Sequence, residues 1–309
     1  MILFSELSKR YQAYYADFPK SVRWRLFVDG IKQVNAHDYQ ETGFEAREPG
    51  HLQAMENAFQ FLLSTPGETI TVDYIQKLHT IAATGVQFTS NRGRNIKHVK
   101  PGEFYPRHSN LYDGVLLHLT SNASNAGIQE LIESVAQGSG LTLTIPHPNQ
   151  NTGQITIDQT WLSHYGADEA YRMLAIHSFS SIRVCTALSS PRDIEKKLSN
   201  IISQYQSEMS QKPISSKEKL RVIVSFIRQL GWLHPFKDAN TRVFVMLLLN
   251  KCLIENNFPP TLLNNPNVFD GHSIEELIDQ VCQGFHHFKV VKDYGRFLNF
   301  NKRTFKAKL

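Results

Sequence analysis

The chain sets nine residues rich in chemistry, His234-Pro235-Phe236-Lys237-Asp238-Ala239-Asn240-Thr241-Arg242, directly against a strongly apolar run, Val243 to Leu249. No other feature constrains the fold as much. The run reads as a buried helix that continues to about Ile254, and Asn256-Asn257-Phe258-Pro259-Pro260 closes it with a strong stop. The nine residues before it therefore form a loop ending at a helix N-terminus, where unpaired backbone N–H groups and the macrodipole favour a phosphate. The residue types point to group transfer from a nucleotide. Asp238 is suited to hold Mg²⁺, Asn240 and Arg242 to grip phosphate oxygens, and His234 to take a proton from the attacking group.

The plain alternative is an ordinary helix-entry loop, since Asp and Asn both cap helices. The combination and order of all these residues favour the chemical reading. The stretch before the loop supports a helix on that side as well. Ser215-Ser216-Lys217-Glu218 has capping-box spacing, and Leu220, Ile223, Phe226, Ile227 and Leu230 follow at helical intervals.

The loop resembles the signature of the Fic/Doc family, His-x-Phe-x-Asp/Glu-Gly/Ala-Asn-Gly/Lys-Arg. The resemblance implies an all-helical core and transfer of a phosphate-containing group, AMP by default, onto a Ser, Thr or Tyr hydroxyl of a target protein. Carried over position by position, it makes His234 the base, Phe236 a core anchor and Asp238 the Mg²⁺ ligand. Ala239, Asn240, Thr241 and Arg242 would bind the nucleotide phosphates, with ATP as the default cosubstrate. A second block agrees. Val72 to Thr84 places Ile75, Leu78, His79 and Ala82 on one face, and Gly93-Arg94-Asn95-Ile96-Lys97-His98-Val99 is similar to the family segment that opens a β-hairpin flap over the motif.

The sequence departs from the family pattern in three places. Thr241 stands where a second glycine is usual, and a β-branched residue disfavours positive φ and adds bulk beside a phosphate. Val245 stands where AMP-transferring members carry a second arginine. No Ser/Thr-x-x-x-Glu-Gly/Asn inhibitory helix is found, because the nearest stretch, Ser64 to Glu68, contains Pro66 and Gly67. Two further readings of the transferred group follow: a Doc-like kinase, or a phosphocholine transferase using CDP-choline, since members of that kind also show an Asp-Ala-Asn core. A binding scaffold with blunted chemistry is the alternative from another class. Retention of His234 with Asp238, Asn240 and Arg242 argues for the enzyme.

The expected fold is mainly α, a Fic-type helical core with a β-hairpin flap and an inserted α+β subdomain. Residues 1–66 read as an N-terminal helical segment, with Tyr11, Tyr14 and Tyr15 as packing residues and His51 to Leu63 amphipathic. The core spans 67–265, and residues 105–190 within it form an insertion that looks like an expanded flap, serving target docking or acting as a structural elaboration. That insertion should hold a helix at Ile128 to Ala136, strands at Leu141 to Ile145, Gln154 to Ile157 and Ile182 to Ala187, and a helix at Asp168 to His177. Residues 266–309 supply a helix, with a capping box at Ser273 and Glu276, and a basic tail.

Composition fits these expectations. A net charge of +5 suits phosphate-bearing ligands and is too small and dispersed for a nucleic-acid binder. The 3 cysteines lack metal-like spacing, and the 13 histidines include no HExxH or paired set. No run approaches bilayer length, and Met1 to Glu6 is not a secretory signal. A cytoplasmic location is expected, with export into a host cell by a specialised secretion system compatible with the sequence.

Overall fold

A computed structural model describes residues 4–30, 45, 48–89, 96–98, 100–107, 114–146, 153–176, 180–211 and 215–295. Helix α1 (Phe4–Tyr15), a 3₁₀ stretch (Lys20–Phe27) and α2 (His51–Ser64) precede α3 (Val72–Ala83), which Thr71 caps through the Tyr74 amide. A short antiparallel hairpin follows, β1 (Gln87–Thr89) against β2 (Ile96–His98), with Gln87 opposite His98. It lies where the flap was expected; Gly93 to Asn95 and Val99 fall outside the described residues.

Next come β3 (Val115–His118), α4 (Asn125–Ala136), β4 (Leu141–Pro146), β5 (Gln154–Ile157), α5 (Gln159–Tyr165), α6 (Ala167–Ile176) and β6 (Ser181–Thr186). The strands form one antiparallel sheet in the order β3-β6-β4-β5, with Val115 opposite Val184 and Leu143 opposite both Val184 and Ile157. The mainly helical class with a β-hairpin and an α+β region is therefore observed. Two elements were not legible. β3 presents only a four-residue Val-Leu-Leu-His run, and α5 is a short helix begun by the Asp158 cap on the Trp161 amide.

Four longer helical stretches follow among the described residues. α7 (Pro191–Ser210) starts at a Ser190 cap with proline in its first turn. α8 (Ser216–Leu233) starts at Ser215, whose side chain accepts from the Glu218 amide. A helix then begins at Asn240, runs as a π-helix over Arg242–Leu248 and continues as α9 (Leu249–Glu255). After a 3₁₀ turn (Pro266–Asp270), α10 (Ile274–Tyr294) opens with the expected capping box of Ser273 and Glu276. The π-helical turn was not foreseen, because sequence periodicity does not separate a π from an α turn over seven residues.

α8 holds the molecule together. Leu220, Ile223, Phe226, Ile227 and Leu230 are buried in the main core with Met55, Ile75, Leu78, Leu198, Phe244 and Leu277. Trp232 instead joins a second core formed by the sheet with α4 and α6, alongside Leu117, Leu131, Leu143 and Val184. One helix thus serves two cores and aims its C-terminal end between them. The two regions also meet at Gly127 on α4, where any side chain would collide with the Gly271 backbone. Tyr11 and Tyr15 pack in the core as expected, and Cys185 and Cys252 are buried thiols. His147, His177 and the basic tail from Arg296 lie outside the described residues.

Candidate active site

The loop from His234 to Arg242 leaves the end of α8 in a left-handed turn. His234 has φ 47° and ψ 55°, and its amide donates to the Leu230 carbonyl at 3.1 Å. Phe236 is fully buried and anchors the loop, a contribution of roughly 1.5–3 kcal/mol. Its ring stacks on His79 at 3.7 Å and 10°, and it lies 5.6 Å from Phe104 and 6.3 Å from Phe244.

Three consecutive carbonyls of the loop are held by residues 105–107. The Arg107 guanidinium donates to His234 O at 3.1 Å and to Phe236 O at 2.7 Å. Between them, the Tyr105 amide donates to Pro235 O at 2.8 Å. Charge-assisted bonds of this kind are about twice as strong as neutral ones. Arg107 is buried, and nothing in its sequence neighbourhood pointed to this role.

Asn240 sits where the motif requires but turns inward. Its Oδ1 accepts from the Phe236 amide at 3.1 Å and its Nδ2 donates to Phe236 O at 2.9 Å, so the side chain staples the loop. The backbone amides at the helix entrance are the donors such a loop offers an anion. Asp238 is half-buried, and its Oδ1 accepts from the Ala239 amide at 2.6 Å.

The backbone corrects the expectation for Thr241. Thr241 has φ −59°, ordinary right-handed helix, so its β-branch meets no positive-φ demand. The left-handed position is Ala239, with φ 60°. Val245 is buried in the core, which gives a physical reason why no arginine stands there.

Arg242 forms an ion pair with Glu48, which lies just before α2. The chain has no inhibitory helix of the expected sequence pattern, yet a carboxylate from the N-terminal segment occupies the motif arginine. Sequence offered no signal for it. His234, Asp238, Ala239, Asn240, Thr241 and Arg242 together line a cavity of about 190 Å³, closed by Phe27, Asp29, Glu48, His51, Met246 and Asn267. A larger cavity of about 410 Å³ lies between α4, α7, α8 and α10, lined by Glu130, Lys197, Arg228 and Trp232, and contains none of the motif residues.

Electrostatics prepare the histidine. Burial, and then the nearby Arg107 guanidinium, hold the His234 imidazole well below its ordinary pKa. A hydrogen bond to the Gly231 carbonyl opposes this in part, and Arg183 of the sheet lowers the value further. The ring is neutral at pH 7 and able to accept a proton. His79 is also held neutral, its pKa lowered to about 4 chiefly by burial, with Arg242 adding to the effect against the bond to the Asp238 carbonyl.

A strained loop at a helix entrance, a neutral histidine, a carboxylate and an arginine thus meet around one small cavity on a helical scaffold. Residues 149–251 match the family model described as the Fic/DOC family. The match begins inside the 105–190 stretch and ends in α9. The chain is also similar to a phosphocholine transferase, AnkX, of Legionella pneumophila, at 28% identity over 291 residues. That alignment covers 90% of this chain and 29% of the relative, so the chain spans under a third of that protein's length.

Proposed function

We propose that this chain transfers phosphocholine from CDP-choline to a hydroxyl side chain of a target protein. One observation carries the choice of group: the similarity to a phosphocholine transferase runs through 90% of the chain, the sheet region and the motif alike. The loop supports it, with Ala239 in the Asp-Ala-Asn core and a buried valine, Val245, in place of the second arginine that would reach the far end of a triphosphate. AMP, the family default, thereby becomes the alternative product. Thr241, in ordinary helical backbone, gives no reason to regard the loop as inert.

In this reading the target oxygen attacks the phosphorus that bears choline and forms a new O–P bond. The anhydride P–O bond breaks, and CMP departs with the bridging oxygen and its electron pair. His234 accepts the hydroxyl proton, for which its neutral ring is suited. Arg242 and the amides at the helix entrance compensate charge on the phosphates. Among the described residues no cluster of three or more His, Cys, Asp or Glu side chains is arranged to hold a metal ion. A single half-buried carboxylate, Asp238, fits Mg²⁺ nonetheless, because that ion is bound through one or two carboxylates together with substrate phosphates. Bound there, Mg²⁺ would neutralise phosphate charge.

No described helix is long and apolar enough to cross a membrane. The reading places the reaction in a cytoplasm, either the cell's own or that of a host reached by export, where the protein target and the nucleotide meet. The test is intact-mass spectrometry of acceptor proteins incubated with the chain and either CDP-choline or ATP. A phosphocholine increment from CDP-choline alone is expected. An AMP or phosphate increment from ATP, with none from CDP-choline, would overturn the choice of group.

A further inference from the structure

We propose that His79 is a positioning residue for this transfer, a strut that fixes the peptide plane between Asp238 and Ala239 and so aims the motif carboxylate. The proposal rests on the reading above only in taking the Asp238 carboxylate to serve the reaction.

His79 is fully buried on α3 and is hydrogen-bonded at both ring nitrogens. The Gly102 amide donates to its Nδ1 at 2.9 Å, and its Nε2 lies 3.1 Å from the Asp238 carbonyl. An amide can only donate and a carbonyl can only accept, so the ring proton is on Nε2. The tautomer is thus set by the chain itself. The face of the same ring stacks on Phe236, so one side chain touches three parts of the site.

The Asp238 carbonyl and the Ala239 N–H belong to one peptide unit. His79 holds the carbonyl side, while the carboxylate of Asp238 accepts from the N–H side at 2.6 Å. Ala239, next in the chain, is held at φ 60°, a left-handed conformation that costs a non-glycine residue roughly 1–2 kcal/mol. Without the His79 donor, rotation of this plane would relieve the strain and remove the N–H that orients the carboxylate. An apolar residue at position 79 would fill the space, deprive the Gly102 amide of its acceptor and leave the Asp238 carbonyl with only the longer bond from Asn240 Nδ2 at 3.3 Å.

The anchor at the other end is built for the purpose. Gly102 has φ +76°, and a side chain there would collide with Thr80 on α3. Gln76 Nε2 also donates to Gly102 O at 3.2 Å. Two residues on, Phe104 pairs with Phe236 as an isolated β-bridge. His79 therefore references the motif loop to the turn that follows the hairpin.

The test contrasts two amides that each imitate one ring nitrogen. His79→Gln keeps a donor near the Nε2 position, whereas His79→Asn keeps only an acceptor near Nδ1 for Gly102. His79→Asn should lower kcat by about tenfold or more with little change in KM for the target, and His79→Gln should recover much of the loss. In an Asp238→Ala background His79→Asn should cost nothing further, because the strut acts through that carboxylate. Equal fold losses in both backgrounds, or a better rate for Asn than for Gln, would overturn the proposal. The Ala239 amide resonance of the unliganded protein gives a readout independent of any transferred group. It should move strongly in His79→Asn and little in His79→Gln, and an unmoved resonance in both variants would also overturn it. If no cosubstrate yields an adduct with the wild-type chain, the transferase reading fails while these spectra still decide the strut.

Discussion

The entrances of the motif helix and of α10 are made in opposite ways. At α10, Ser273 accepts from the Glu276 amide, and the Glu276 carboxylate returns to the Ser273 amide at 2.9 Å. Glu130 from α4 also accepts from the Ile274 amide at 3.1 Å. That entrance satisfies itself with its own residues and one neighbour. The helix carrying the motif has no side-chain cap, and its approach runs through left-handed His234 and Ala239. Donors are satisfied where only stability is at stake, and backbone strain is retained at the entrance proposed to bind a ligand.

The largest expected effect is on the strained side. His234→Ala should reduce transfer by roughly 10² to 10⁴, with little change in melting temperature, if the imidazole takes the reacting proton as proposed. The wild-type pH profile adds a sharper check. The pKa of His234 lies well below the ordinary value, and the base must be deprotonated. Activity should therefore be flat through neutrality and fall only in acid. A rise in rate between pH 6 and 8 that disappears in the alanine variant would contradict the environment described for this ring.

Glu48→Gln probes the ion pair over the cavity. With the carboxylate charge removed, Arg242 should bind a phosphate ligand several-fold more tightly, equivalent to about 1 kcal/mol. Titration calorimetry with CDP-choline reads this, and weaker binding would mean that Glu48 itself contacts the ligand.

Ser273→Ala should lower stability by about 1 kcal/mol and leave kcat unchanged. A loss of activity at constant stability would erase the distinction between the two entrances.

The smallest effects separate two neighbouring positions. Ala239→Gly should stabilise the chain by up to about 1 kcal/mol, since glycine accepts φ 60° without strain. Thr241→Gly should destabilise it by about the same amount, since φ −59° suits any residue and glycine weakens a helix. Thermal melts of the two variants should move in opposite directions; movement in the same direction would refute the backbone description.

Much of the scaffold was legible because its signals are local. The caps Ser215 and Ser273, proline at the start of α7 and the apolar spacing of α3 and α8 each act within one or two helical turns. The strands at 141–146 and 154–157 carried their own turn residues. β3 and α5 were too short for a periodic pattern to emerge. The expectation for Thr241 fails because sequence names a residue and not its φ: the motif's left-handed steps fall at His234 and at Ala239, the latter two positions earlier.

By itself the sequence determined which groups stand at the helix entrance. His234, Asp238, Asn240 and Arg242 are consecutive enough that any helix start there must bring them together. Only the tertiary structure decided what those groups touch. Asn240 turned inward onto Phe236, 4 residues away. Arg107 reached the His234 carbonyl across 127 residues, His79 the Asp238 carbonyl across 159, and Glu48 the Arg242 guanidinium across 194. Hydrogen bonding within a turn is set by chain geometry, so it can be read in order along the chain. Contacts over such separations depend on how two cores pack around α8, and a residue's own neighbours carry no record of that packing.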